Sequence, residues 1–229
     1  MLQAVIFDCD GVIADNEPLH LRMFQKVLAE EGLHLTDRDY YAIYLGMDDK
    51  GCFSAFYGAQ HQPLDSDKMK ALITRKARCF EDALRTNLRI FPGVVRLVRE
   101  LAPQRPLAIA SGALRHEIET ILASAGLRDA FQTIVSAEDV LEGKPSPEGF
   151  FAALQRLRAH HRPPAEITPA GCVVIEDSIA GIEAAGAAGM RCLAVTNSYP
   201  SSALQRADRI VDSLEKITEA DLERLCASA

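Results

Sequence analysis

A chain of 229 residues can bury a sizeable core as one domain with a large insertion or two modest domains, and 48% hydrophobic with 25% charged residues is an ordinary globular composition. The net charge of −7, without a basic cluster free of interleaved acids, argues against nucleic acid as a partner and favours a cationic cofactor. No apolar run approaches the roughly 18 residues of a membrane span, and Met1 leads directly into a strand pattern, so a cytoplasmic protein with no membrane partner is expected, a monomer with six reduced, mostly core cysteines.

The first element is the run Val5, Ile6, Phe7, which stops at Asp8, Cys9, Asp10 and Gly11. This pattern predicts a buried strand whose carboxyl end delivers two acids into a tight turn, the position where open parallel sheets carry their chemistry. Alternation along the strand would put Asp8 and Asp10 on one side. Two carboxylates that close imply either a raised pKa or a bound metal. Cys9 between them reads as a space filler.

After Asp15 the period changes to that of a helix: Asn16 as cap, Pro18 in the first turn, apolar residues from Leu19 to Leu28, and Gly32 as the stop. Further helical patterns follow at Asp37 to Tyr44, Lys50 to Tyr57 and Asp65 to Leu84, the last with a basic run, Arg75, Lys76 and Arg78, of the kind that is usually a solvated face. Residues 16–87 therefore form an all-helical insert, well placed to act as a lid. From Arg89 strand and helix alternate: a helix from Pro92 to Leu101, a strand from Pro106 to Ala110 ending in Ser111 and Gly112, a helix from His116 to Ala125, and a strand from Thr133 to Val135. A helix from Pro147 to His160, a proline-rich loop from Arg162 to Pro169, a strand from Cys172 to Ile175 and an Ala- and Gly-rich helix to Gly189 come next. Strands Arg191 to Val195 and Arg209 to Val211 and a last helix from Leu214 complete the chain. The expected fold is α/β: residues 1–15 and 88–229 form a Rossmann-like, doubly wound parallel sheet, and residues 16–87 a helical cap domain.

Polar groups then gather at one sheet edge: Asp8 with Asp10, Ser111, Lys144 in a loop, and Glu176 with Asp177. Each alone has an ordinary structural account, Ser111 as a helix cap, Lys144 as a solvated lysine, Glu176 and Asp177 as caps of the helix starting near Ser178. A calcium loop is disfavoured because Val12 and Ile13 stand where further ligands would be needed.

Taken in order, the segments DCDGVIAD, IASGA, GKPSPE and IEDSIAGIEAAGAAGM resemble the four motifs of the haloacid dehalogenase-like hydrolase superfamily. The likeness covers the whole chain, and the helical insert is similar to the cap of the subgroup holding β-phosphoglucomutase, CbbY and phosphoglycolate phosphatase. The resemblance implies Asp8 as the nucleophile that forms an aspartyl phosphate, and Asp10 as the acid and base that serves the leaving oxygen and then the water. It implies Mg2+ held by Asp8, the Asp10 carbonyl, Glu176 and Asp177, with Lys144 and Ser111 holding charge and phosphate and Gly112 allowing close backbone approach. An acid at position 10 points to a phosphate ester. Glu17, His20, Gly46 and Met47 to Lys50 fall where the subgroup's substrate-binding residues lie, each also readable as plain surface. The expected activity is a magnesium-dependent phosphatase of a small phosphorylated metabolite, a sugar or polyol phosphate. The alternative is a β-phosphoglucomutase-like isomerase, disfavoured because Asp48 and Asp49 would repel a second phosphate unless Arg75, Lys76 and Arg78 compensate. A phosphorelay receiver or a non-catalytic relative is the remaining class.

Overall fold

The computed structural model describes residues 1–160 and 166–227, with the backbone alone for 85–87. The chain divides into two compact units, Met1–Ala14 with Ile90–Ala229, and Asp15–Arg89.

The first unit is built on six parallel strands, β1 (Ala4–Phe7), β2 (Leu107–Ala110), β3 (Thr133–Val135), β4 (Cys172–Glu176), β5 (Arg191–Val195) and β6 (Arg209–Val211), in the order β3-β2-β1-β4-β5-β6. β1, β2 and β4 are buried along their whole length, as their unbroken apolar runs require of a sheet covered on both faces. Alternation sends Ala4 and Ile6 into one cluster with Phe150, Leu154, Ile182 and Ala185, while Phe7, pointing the other way, meets Phe131 edge-on at 5.7 Å. The strand order reverses between β1 and β4, and their register sets Phe7 opposite Ile175. An open α/β sheet leaves its crevice at that reversal.

The second unit holds α1 (Glu17–Glu30), α2 (Asp37–Asp39), α3 (Asp49–Ala59) and α4 (Ser66–Asn87). α2 runs into a wide π turn, Tyr40–Tyr44, that turns Tyr40 and Tyr44 inward, so the expected single helix is split. Asn16 stands at the N-cap of α1 but makes no side-chain cap bond; its carbonyl accepts from Leu19 and His20 instead. An aromatic core of Phe24, Phe53, Phe56, Tyr57 and Phe80 fills the unit, with Phe24 and Phe53 edge-on at 5.0 Å.

In the first unit follow α5 (Val94–Leu101), α6 (Arg115–Ser124), α7 (Glu148–His160), α8 (Ile179–Ala187) and α9 (Glu219–Ala227). Helix α7 packs on β2 and β3, α8 and α9 on β4 and β5. The helix expected from Leu214 begins later: Leu214–Lys216 is a single tight turn, Ile217 is extended, and Thr218 stands immediately before α9, its N–H and hydroxyl both donating to Asp221. Residues 162–165 of the expected proline-rich loop lie outside the described residues, and Pro169–Gly171 forms a short turn before β4. All six cysteines are free thiols, five of them buried and Cys79 half-buried.

Candidate active site

Parallel pairing makes the carboxyl ends of β1, β2 and β4 level, since Phe7 faces both Ile109 and Ile175. Asp8 is thus the first residue past β1, its N–H still donating to the Ile175 carbonyl at 3.0 Å. The chain then turns at once: Ile13 and Ala14 donate back to the Cys9 carbonyl, and Gly11 takes φ +75°, a left-handed conformation that suits glycine. A Cβ there would lie 1.8 Å from Asp177 Oδ2, so the turn after Asp10 is seated directly on the acid from β4.

Lys144 arrives from the loop between β3 and α7. Glu148, at the start of α7, accepts from the N–H groups of Leu141 and Glu142, both at 3.0 Å, and these two backbone donors hold its carboxyl below the usual range. The Lys144–Pro145 peptide is cis. Lys144 Nζ donates to Asp8 Oδ1 at 2.8 Å and to Glu176 Oε1, and lies 5.4 Å from the centre of the Phe150 ring. The ordinary account of a solvated lysine is therefore excluded. Burial works against its charge, yet Asp8 and Glu176 outweigh burial and raise its pKa.

Glu176 is fully buried, its Oε2 accepting from the N–H groups of Asp177 (3.0 Å) and Ser178 (3.1 Å) and from the Ser178 hydroxyl (2.9 Å). Ser178 is itself the N-cap of α8, accepting from Gly181 at 3.0 Å, so neither acid is the cap. Gly181 is needed for space, because a Cβ on it would sit 2.0 Å from the Glu176 carboxylate.

Candidate ligand atoms of Asp8, Glu176 and Asp177 all lie within 4.8 Å of one another, with the three residues buried. Burial first, then the nearby carboxylates of Glu176 and Asp10, push Asp8 up to about 7 against the pull of Lys144. An oxygen-only set of buried, crowded carboxylates fits a hard divalent cation. Asp10 is half-buried in the turn, and Ser111 lies buried past β2, where its Oγ accepts from Ala113 at 3.3 Å. Leu114, not Ser111, is the N-cap of α6, and Gly112 is exposed.

Glu17, His20 and Lys50 belong to the helical unit. Glu17 accepts from the Tyr40 hydroxyl at 3.2 Å, and Lys50 is exposed. His20 is buried, with Nδ1 at 2.6 Å from Lys76 Nζ. An ammonium offers only donors, which makes Nδ1 the acceptor. Lys76 is not on a solvated face: it has no exposure, pairs with Asp49, and lies over Phe24 (4.6 Å) and Phe80 (5.2 Å). Arg75 pairs with Glu30 and Glu31, and Arg78 is exposed. Sequence reasoning gave Lys76 as a compensating cation on what is usually a solvated face, although its place gave a signal of burial: Leu72, Lys76 and Phe80 share one helical stripe. It missed Asn197 and Ser198. Ser198 donates to Asp177 Oδ2 and Asn197 to the Gly11 carbonyl at 2.7 Å. The available sign was their position just past β5, at the same sheet edge as the other groups.

The chain is similar to known proteins over most of its length. A family model described as haloacid dehalogenase-like hydrolase matches residues 5–195. The fructose-1-phosphate phosphatase YqaB of Escherichia coli is 32% identical over 186 residues, covering 81% of this chain and 92% of that protein. Hexitol phosphatase B of the same organism is 29% identical, covering 96% of each. Among solved structures, CbbY from Rhodobacter sphaeroides in complex with phosphate is similar with a TM-score of 0.83 and 27% identity, covering 97% of this chain and 100% of that one.

Proposed function

The chain belongs to the haloacid dehalogenase-like hydrolases, and from that premise we propose that it is a magnesium-dependent phosphatase of a small sugar or polyol phosphate, working through an aspartyl phosphate on Asp8. The observation that carries the reading is one buried group: Asp8 held at 2.8 Å by Lys144, with Glu176 and Asp177 gathered on it.

Asp8 attacks phosphorus while the ester oxygen leaves with a proton from Asp10. A water then attacks the same phosphorus, gives its proton to Asp10 and releases inorganic phosphate and the Asp8 carboxylate. Lys144 fixes the Asp8 carboxylate for attack and offsets charge, and Ser111 donates to phosphate oxygens. Asp8, the Asp10 carbonyl, Glu176 and Asp177 are the residues that would hold Mg2+. When bound, Mg2+ neutralises the repulsion between the phosphoryl oxygens and the nucleophile. The preference for a phosphosugar is supported by the named activities of YqaB and hexitol phosphatase B. Within the helical unit Glu17, His20 and Lys50 are the selectivity residues.

The isomerase alternative needs a cation for a second phosphate. In the helical unit Asp48 caps α3 by accepting from Gly51 at 2.6 Å, and Asp49 engages Lys76, an arrangement that supports hydrolysis over isomerisation. Phosphate release is measured over sugar phosphates, phosphoglycolate and nucleotides, with and without Mg2+. The reading expects Mg2+-dependent release from a phosphosugar that Asp8→Asn abolishes. Release only with a bisphosphate activator would move the assignment to the isomerase, and a parent protein inert on every ester would end it.

A further inference from the structure

We propose that Asn197 and Ser198 are positioning residues for the cation centre, a clamp from β5 that fixes two of its arms while supplying no ligand itself. The inference deepens the reading of Asp8, Glu176 and Asp177 as a divalent-cation site and rests on it.

Three observations converge. Ser198 Oγ donates to Asp177 Oδ2, which fixes the rotation of a buried carboxylate about its last bond. Asn197 Nδ2 donates to the Gly11 carbonyl at 2.7 Å, while the Gly11 N–H donates to Ala14 at 2.9 Å, so both peptide planes flanking Gly11 are pinned, including the one that carries the Asp10 carbonyl. A Cβ on Gly11 would lie 1.8 Å from Asp177 Oδ2 and 2.9 Å from Ser198 Oγ, so the turn after β1, the acid after β4 and the hydroxyl after β5 fill one small volume. The parallel register that pairs Glu176 with Ala194 brings the end of β5 to this level. Partners that orient a ligand are worth roughly 10- to 100-fold in metal affinity.

The test is direct Mn2+ binding to the full chain, followed by the electron paramagnetic resonance of free Mn2+, with the fold of each variant checked by circular dichroism in EDTA. Ser198→Ala is expected to weaken Mn2+ binding at least about tenfold, Asn197→Ala to weaken it several-fold, and Ser198→Thr, which keeps the hydroxyl, to restore most of the loss. A general packing defect would not be rescued by threonine. Folded Ser198→Ala and Asn197→Ala proteins that bind Mn2+ within twofold of the wild type would overturn the clamp and leave the cation site intact. A wild type that binds no Mn2+ would instead overturn the site itself. If Ser198→Ala does not fold, Asn197→Ala decides: several-fold weaker binding supports the clamp and unchanged binding refutes it.

Discussion

Both oxygens of Glu176 are committed within the protein, Oε1 to Lys144 and Oε2 to the three donors of Asp177 and Ser178. Its first task is therefore to hold Lys144 against Asp8 and to shape the start of α8. Glu176→Gln places an amide N–H2 against one of these donor sets, whichever way it is turned. Leaving buried donors or a buried ammonium unmatched costs about 3 kcal/mol, and urea unfolding in EDTA is expected to show a loss of that order. Asp177→Asn gives up less there and loses mainly Mn2+ affinity. Equal stability of the two variants would contradict the division of labour. At this scale the sequence was informative where a residue's charge and its strand-end position coincided, as at Asp8, Lys144, Glu176 and Asp177. It was silent at Ser198 and Asn197, uncharged groups whose importance lies in partners 21 and 186 positions away. Lys76 was hidden for another reason: one residue of a basic run happens to fall on the apolar stripe, and only packing tells it from its neighbours.

The short turn Ser136 to Asp139 after β3 is a clamp between elements. Asp139 accepts from Arg115 of α6 (2.5 Å), Arg156 of α7 (2.7 Å), and the N–H and hydroxyl of Ser136 (both 2.9 Å). Burial alone would raise its pKa; the Arg156 and Ser136 bonds and the charge of Arg115 outweigh burial and hold the carboxyl well below the usual range. A carboxyl that titrates lower when folded leaves the folded state with fewer protons than the unfolded one. Its stabilisation is complete above the ordinary value of 3.8 and is lost as pH falls through the folded titration. Asp139→Asn is expected to cost about 2 kcal/mol at pH 7, a figure held down by the half-exposed arginines, with the same gap at pH 5.5 and a narrower one at pH 3. Urea unfolding at the three values checks this, and a gap that widens on acidification would refute it. Elements of this kind explain why strand and helix types were readable from period while some boundaries were not. The start of α9 is decided by Thr218 and Asp221, a cap whose bonds compete locally with helix and leave Ile217 extended.

For the whole molecule the consequence of inserting 15–89 is architectural. The chain leaves and re-enters the first unit side by side: Ala14 and Ile90 form an antiparallel bridge, and Phe91 donates to Ile13 at 3.0 Å. That pairing sets the boundary, and hydrophobic period cannot show it, because a single bridge leaves no repeat. Among the described residues, strands β1 to β6 and the helices α7, α8 and α9 that pack on them lie in Met1–Ala14 and Ile90–Ala229. The helical unit has its own aromatic core around Phe24, Phe53 and Phe80. Joining Ala14 to Ile90 through a short Gly–Ser turn therefore removes no layer from the sheet, and shortening a loop lowers its closure entropy, by about 0.6 kcal/mol for each halving. The shortened protein is expected to unfold in one cooperative urea transition and to bind Mn2+ with near-parental affinity, since Asp8, Lys144, Glu176, Asp177 and Ser198 all remain. On the proposed selectivity roles of Glu17, His20 and Lys50, its discrimination among sugar phosphates is expected to collapse. A gradual transition, or loss of Mn2+ binding in a protein that still folds, would mean that the cation centre depends on the helical unit and that the division of roles between the two units is wrong.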